Sequence, residues 1–192
     1  MFAKGIALDT ANQEMEIREL HAETYRTRQK FPEAAAAYKD LIKVKESLKI
    51  SSSRDLFYMG WSYYYDTQFA PADSAFTKLT EEQPESSLGY LWAAKARVQI
   101  DTTGEAGTAV PMYETYLQKA LANPSTVEKE KKNIIEAYDY LGTYAVQIKD
   151  NVAEASGYFQ KVLQLDPNHE KAKTFMETVK DPSPQPRGKG KK

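Results

Sequence analysis

A pair of residues, alanine followed four positions later by an aromatic residue, recurs four times along the chain: Ala34/Tyr38, Ala72/Phe76, Ala109/Tyr113 and Ala155/Phe159. Successive alanines are separated by 38, 37 and 46 residues (34 to 72, 72 to 109 and 109 to 155). Such a period is typical of a solenoid, in which each repeat buries its apolar face only by packing on its neighbours. The spacing therefore predicts one continuous array of similar repeats.

The clearest repeat lies within residues 55–84 and is predicted to form two short helices. Gly60 lies on the first helix. On the second, Ala72, Phe76 and Leu79 fall at positions i, i+4 and i+7, so that they share one face. Small residues at Gly60 and Ala72 would allow the two helices to cross closely, and Phe76 would fill the gap beside them.

This stretch resembles the tetratricopeptide repeat (TPR), a helix–turn–helix unit with the pattern W-x2-L-G-x2-Y…A-x3-F…P. The matching residues are Gly60, Tyr63, Ala72, Phe76 and Pro84, whereas Leu56 and Met59 replace the Trp and Leu of the pattern. The last copy, with Gly142, Ala155, Phe159 and Pro167, is also clear, and the first and third copies are degenerate. The resemblance implies an all-α fold, a right-handed α-α superhelix of about four helix pairs with a leading half-repeat and a C-terminal capping helix.

The two ends of the chain differ from the repeats. Residues 2–8 align with the second helix of the last repeat, since Phe2 and Leu8 correspond to Phe159 and Leu165. We therefore expect residues 1–10 to be a half-repeat remnant and the chain to be the C-terminal part of a longer array; a short unrelated helix is the alternative. Residues 11–180 would form the TPR solenoid with its capping helix. Residues 181–192 are rich in Pro, Gly and Lys and are expected to form a disordered basic tail.

Helix boundaries follow from prolines and capping residues. A helix from about Ala11 to Arg28 is expected to end before Pro32, which suits the first turn of the next helix. Ser125 and Glu128 have the spacing of a capping box and would start a helix that reaches Ile148.

Composition excludes several classes of protein. The formal net charge of −1 argues against nucleic-acid binding, which requires a basic face. No run of 18 apolar residues occurs, so no transmembrane segment is predicted. The absence of cysteine excludes disulfides and thiol chemistry. These observations leave the compartment open between cytoplasm and periplasm.

Candidate catalytic residues are few. The two histidines, His21 and His169, belong to different repeats, and neither has a second histidine or glutamate at a metal-binding spacing. The loop at residues 101–108 contains two glycines but lacks the Gly-Lys-Ser/Thr ending of a phosphate-binding loop. We therefore expect a protein without enzymatic activity, metal or cofactor.

Aromatic residues provide the candidate binding site. Phe57, Trp61, Tyr64 and Tyr65 fall at i, i+4, i+7 and i+8 of one predicted helix and form a stripe. Because the first helices of TPR units line a concave groove, the resemblance implies a partner-binding groove formed by Arg54, Phe57, Tyr58, Trp61, Tyr64, Tyr65, Trp92, Lys95, Gln99 and Tyr140. Alternatively the stripe packs between adjacent helices, and we expect about half of it to be buried in this way.

These residues favour a protein–protein interaction module or scaffold that binds a peptide or partner helix. The alternatives are a small ligand or carbohydrate bound by the Tyr/Trp surface, and a purely structural docking segment. TPR domains that hold a peptide carboxylate use a Lys/Asn/Arg clamp, but Glu19, Glu23, Tyr58, Leu88 and Trp92 occupy the equivalent positions. A chaperone-tail partner of that type is therefore not expected.

Overall fold

The computed structural model describes the backbone of residues 2–180 and the side chains of residues 12–180. All regular secondary structure in this part of the chain is α-helical: α1 (Phe2–Thr27), α2 (Phe31–Ser47), α3 (Ser53–Tyr65), α4 (Phe69–Glu82), α5 (Ser87–Ile100), α6 (Val110–Leu121), α7 (Pro124–Gln147), α8 (Val152–Leu165) and α9 (Glu170–Lys180). The predicted all-α class is therefore confirmed. The tail predicted for residues 181–192 lies outside the described residues.

The chain divides into two compact units, Met1–Lys119 and Ala120–Lys192. In the first unit, α1 to α5 pack in chain order, each helix on the next, and α3 also contacts α5. In the second unit, α7 packs on α8 and α8 packs on α9. Sequential packing of neighbouring helices is the arrangement that the repeat period predicts.

The hairpin formed by α3 and α4 has the predicted close crossing. Ala72 and Phe76 are fully buried. A Cβ atom added to Gly60 would lie 2.8 Å from Cε1 of Phe76, closer than real Cβ atoms approach a neighbour. The hairpin of α7 and α8 has the same arrangement, since a Cβ atom added to Gly142 would lie 3.0 Å from Cζ of Phe159. An added Cβ would therefore require the Phe76 ring to shift at Gly60, and would require the Phe159 ring to give by a few tenths of an ångström at Gly142.

Two predicted helix starts are wrong. Helix α1 runs without interruption from Phe2 to Thr27 instead of starting at about Ala11, because no proline separates residues 2–10 from the rest of the helix. The half-repeat origin of residues 1–10 stays a prediction. Helix α7 starts at Pro124 and is capped by Asn123, whose side chain accepts a hydrogen bond from the Ser125 N–H at 3.1 Å. Asparagine is a favoured N-cap residue and proline fits the first helical position, so the helix starts before the predicted capping box.

Candidate functional site

Six aromatic side chains of α3 and α5 form a continuous surface, which we call the aromatic surface: Phe57, Tyr58, Trp61, Tyr64, Tyr65 and Trp92. The ring of Trp92 lies 6.0 Å from Phe57 and 5.4 Å from Tyr64, both nearly perpendicular. It also lies 6.4 Å from Tyr65. Edge-to-face contacts of this kind are favourable beyond the area that they bury. The stripe on α3 thus continues onto α5.

The aromatic surface is partly packed and partly exposed. Phe57, Trp61, Tyr64 and Trp92 are half-buried and pack against a core cluster formed by Ala72, Phe76, Ala93 and Ala96. Tyr65 is 49% exposed. The inner rings therefore contribute to the stability of the first unit, and Tyr65 presents apolar area to solvent.

Two further rings adjoin this surface and were not among the predicted site residues. Phe31, the first residue of α2, lies 5.6 Å from Trp61 and 5.7 Å from Tyr65. Phe69, the first residue of α4, lies 5.4 Å from Tyr64. Both phenylalanines open the second helix of a hairpin, and this shared position was the signal in the sequence that could have identified them.

A cavity of about 320 Å³ lies beside the aromatic surface and is lined by residues of α3, α5 and the C-terminal end of α4. Its lining residues are Ser53, Arg54, Phe57, Tyr58, Leu79, Gln83 and Leu88. Leu88 is 39% exposed, and the Arg54 side chain is largely exposed. The cavity thus combines an apolar wall with a guanidinium and an amide at its rim.

Tyr58 is held by two arginines and a second tyrosine. The guanidinium carbons of Arg26 and Arg54 lie 4.3 Å and 5.6 Å from its ring centroid, within range of a cation–π interaction. Tyr38 stacks on it at 5.7 Å. Both arginines donate to the carboxylate of Glu23, at 3.0 Å from Arg26 and 3.2 Å from Arg54. This network fixes the orientation of Tyr58.

A second cavity, of about 270 Å³, lies between α1 and α3 and is mostly acidic, with Glu16, Glu19, Leu20, Glu23, Tyr38, Arg54 and Asp55 in its lining. The buried Lys45 lies 2.5 Å from Glu19 and 2.7 Å from Asp55. Burial alone would lower the pKa of Lys45, but hydrogen bonds with Asp55 and Glu19 outweigh it and the pKa is raised. Lys45 therefore remains charged.

This ion pair was missed in the sequence, although a signal was present. Lys45 lies seven residues after Tyr38 and four residues after Leu41. This helical spacing places it on the buried face of α2. A lysine on an apolar face indicates a buried partner. Asp55 supplies it from the first turn of α3.

The other predicted groove residues have different positions. Lys95 lies with its Nζ 6.0 Å from the ring of Trp92, and Gln99 is exposed one turn further along α5. Tyr140 lies on α7 in the second unit, half-buried, with its ring stacked on Tyr144 at 6.5 Å. The structure thus brings together the predicted residues of α3 with Trp92 and Lys95.

The described side chains contain no group of three or more His, Asp or Glu residues that could hold a metal ion. His21 stacks on Tyr25 at 4.5 Å. His169 accepts a hydrogen bond at Nδ1 from the Ala172 N–H at 3.4 Å, in the first turn of α9. Both histidines therefore have structural contacts.

Comparisons with known proteins agree with this architecture of successive helix hairpins. A sequence model of the tetratricopeptide repeat family matches residues 56–86, which include most of α3 and all of α4. A crystal structure of the C-terminal part of a TPR repeat-containing protein from Cytophaga hutchinsonii superposes with a TM-score of 0.72 at 25% identity, over 90% of this chain and 64% of that one. No curated protein matches the chain.

The packing of successive helices and these similarities indicate a protein built of helix–turn–helix repeats. The family-model match and the superposition support the assignment to the tetratricopeptide repeat family that the sequence predicted. The chain spans about 64% of the length of the solved relative. TPR domains in general are non-catalytic scaffolds for protein interaction. None of the described helices has both the length and the hydropathy needed to cross a membrane.

Proposed function

We propose that this chain is a non-catalytic interaction module that binds a peptide or a partner helix on the aromatic surface of its first unit. The observation that carries the proposal is the exposure of Tyr65 on the aromatic surface and of Leu88 in the wall of the adjoining cavity of about 320 Å³. Helix-in-groove and extended-peptide binding both use an apolar anchor that enters such a cavity.

The energetics favour anchoring by aromatic rings. Tyrosine and tryptophan are enriched among binding hot spots, where a single side chain contributes roughly 2 kcal/mol or more. Trp61 and Tyr65 are already held against each other, with ring centroids 4.3 Å apart. Side chains that are ordered before binding lose little conformational entropy when a partner docks.

The cavity rim supplies polar contacts that would orient the partner. Arg54 donates a hydrogen bond to Glu23 and also interacts with Tyr58, but its side chain is 66% exposed, and a guanidinium has five N–H groups for a carbonyl or carboxylate of the partner to use. Gln83 adds an amide at the same rim. A volume of about 320 Å³ is at the lower end of small-ligand pockets, roughly 300–1,000 Å³. This size favours a side chain of a longer partner over a carbohydrate.

The first unit has acidic residues where a basic clamp for a peptide carboxylate would need lysine or arginine. Glu19 and Glu23, at the positions expected for clamp residues, line the acidic cavity and form ion pairs with Lys45 and with the two arginines. Their negative charge would repel a terminal carboxylate.

The test is affinity capture from lysate, with quantitative mass spectrometry, by wild type and by Tyr65→Ala/Leu88→Ala. Because two exposed anchors are removed, we expect capture of the partner to fall at least about tenfold, which corresponds to 1.4 kcal/mol. Ile148→Ala/Val152→Ala is the matched control, since these residues are 38% and 42% exposed on the second unit. Circular dichroism checks that both variants are folded.

A partner retained by Tyr65→Ala/Leu88→Ala would contradict the proposal and move the interaction to another surface. Binding to a glycan array that is lost in the same variant, without loss of a protein partner, would favour the carbohydrate alternative. Absence of any captured protein or glycan by wild type would favour the purely structural role.

A further inference from the structure

The first unit has a third cavity, which lies between α2 and α4. These are the second helices of the first two hairpins, and residues of α3 also line the cavity. We call it the lysine cavity, after three of its lining residues. It measures about 230 Å³ and is lined by Lys39, Ile42, Lys43, Glu46, Leu56, Met59, Ser74, Ala75 and Lys78. It shares no lining residue with the cavity beside the aromatic surface or with the acidic cavity.

The floor of the lysine cavity is apolar. Ile42, Leu56 and Ala75 are almost fully buried, and Ile42 and Leu56 belong to one core cluster. Met59 is half-buried, packs against this cluster and also lines the cavity. Methionine is unbranched and polarizable, and for this reason it is common on surfaces that adapt to different partners. The floor can therefore accept an apolar side chain.

The rim of the lysine cavity carries an excess of positive charge. Lys78 of α4 forms an ion pair with Glu46 of α2. Lys43 lies 3.6 Å from Asp40, but both are 66% exposed, so solvent screens this pair. Lys39 is exposed and has no ion-pair partner among the described residues. The local excess of lysine contrasts with the net charge of −1 for the chain.

We propose that the lysine cavity docks an acidic segment of a partner protein. An apolar side chain of that segment would insert over Met59 and Ala75, and flanking carboxylates would meet Lys39 and Lys43. Charge complementarity between rim and segment would speed association and exclude basic partners. The site is independent of the proposed function because none of its residues belongs to the aromatic surface.

Size and charge favour a protein segment over other anionic ligands. The volume of about 230 Å³ is below the range of roughly 300–1,000 Å³ that is usual for small-molecule pockets, and suits one side chain. A nucleic acid would require an extended basic face. Glu46 interrupts the rim and would repel a polyphosphate backbone.

The experiment uses NMR of protein labelled with ¹³C at the methionine methyl groups. The probe is a hexapeptide blocked at both ends, with two central leucines flanked on each side by two acidic residues. We expect the Met59 methyl resonance, assigned with Met59→Leu, to move on titration. The resonance of Met112, which packs against the core under the aromatic surface, should stay unchanged. Affinity should fall at least tenfold in Lys39→Glu/Lys43→Glu and should weaken with added salt.

Matched controls make the result specific. Lys129→Glu/Lys132→Glu reverses two exposed lysines of α7 and should leave the affinity unchanged. A hexapeptide with lysines in place of its acidic residues should not bind. Absence of a Met59 shift at millimolar peptide, or equal affinity for Lys39→Glu/Lys43→Glu and wild type, would overturn the proposal. So would binding of phosphatidylserine vesicles or duplex DNA that is lost in Lys39→Glu/Lys43→Glu while the peptide does not bind.

Discussion

The α3–α4 hairpin of the first unit and the α7–α8 hairpin of the second unit have the same internal packing but different outer surfaces. In each, a glycine of the first helix contacts a buried aromatic ring of the second: Gly60 with Phe76, and Gly142 with Phe159. Aligning the two glycines places Asp139 and Thr143 of α7 at the positions of Phe57 and Trp61 on α3.

On α7, Asp139 and Thr143 both form hydrogen bonds within the second unit. Lys171 of α9 donates to Asp139 at 2.7 Å and to Thr143 at 2.5 Å. The equivalent positions of α3 carry the rings that continue onto Trp92. The glycine–aromatic contact therefore specifies the hairpin, whereas the neighbouring positions on the same helix decide whether its surface is aromatic or polar.

Removing the buried ring should have the largest effect on either hairpin. Phe76 and Phe159 are 0% and 1% exposed, so we expect Phe76→Ala and Phe159→Ala each to cost about 3–5 kcal/mol in their own unit. Trp61 and Trp92 are the two tryptophans, and their fluorescence during urea unfolding reports the first unit. Hydrogen exchange of α7 and α8 reports the second. A cost below 1 kcal/mol in one hairpin would show that the two contacts are not equivalent.

Removing a lysine should destabilise the first unit much more than the second. Lys45→Ala leaves Asp55 buried without its partner and should cost about 3–5 kcal/mol. Lys171→Ala removes a lysine whose side chain is 48% exposed, and should cost less than about 1 kcal/mol. The same fluorescence and exchange measurements apply. Lys45→Met/Asp55→Leu is the control, since replacing both ions by apolar residues should recover most of the loss; equal losses for Lys45→Ala and this double variant would contradict a buried-charge penalty.

The sequence was sufficient to predict the helical class and the close crossing of α3 and α4, because both depend on local spacing. Gly60, Ala72 and Phe76 recur at a fixed separation, and such a pattern is visible without coordinates. The stripe on α3 was predictable for the same reason, since its residues follow one another at helical intervals.

Contacts between helices were not predictable in this way. Lys45 meets Glu19 of α1 and Asp55 of α3, and the acidic cavity depends on all three helices. The lysine cavity likewise needs residues of α2, α3 and α4 at distances that only the packed hairpins determine. Helix spacing reports which face a residue occupies, but not which residue of another helix lies opposite.

Gly→Ala substitutions have the smallest expected effects and compare how tightly the helices cross in the two hairpins. In an open helix position, Gly→Ala stabilises by about 1 kcal/mol, and we expect this gain for Gly157→Ala because its Cβ would meet nothing within 4 Å. At Gly60 the new Cβ would lie 2.8 Å from the Phe76 ring, and overpacking of about 1–3 kcal/mol should exceed that gain. At Gly142 the nearest ring atom is 3.0 Å away, so the net loss should be smaller.

The expected order of stability, with each variant measured in its own unit, is Gly157→Ala above wild type, then Gly142→Ala, then Gly60→Ala. Fluorescence reports Gly60→Ala, and hydrogen exchange reports the other two. If Gly60→Ala were as stable as Gly157→Ala, the ring of Phe76 could move aside at no cost, and close helix crossing would not explain the glycine. If only Gly142→Ala were tolerated, the crossing in the second unit would be looser than the one that supports the aromatic surface.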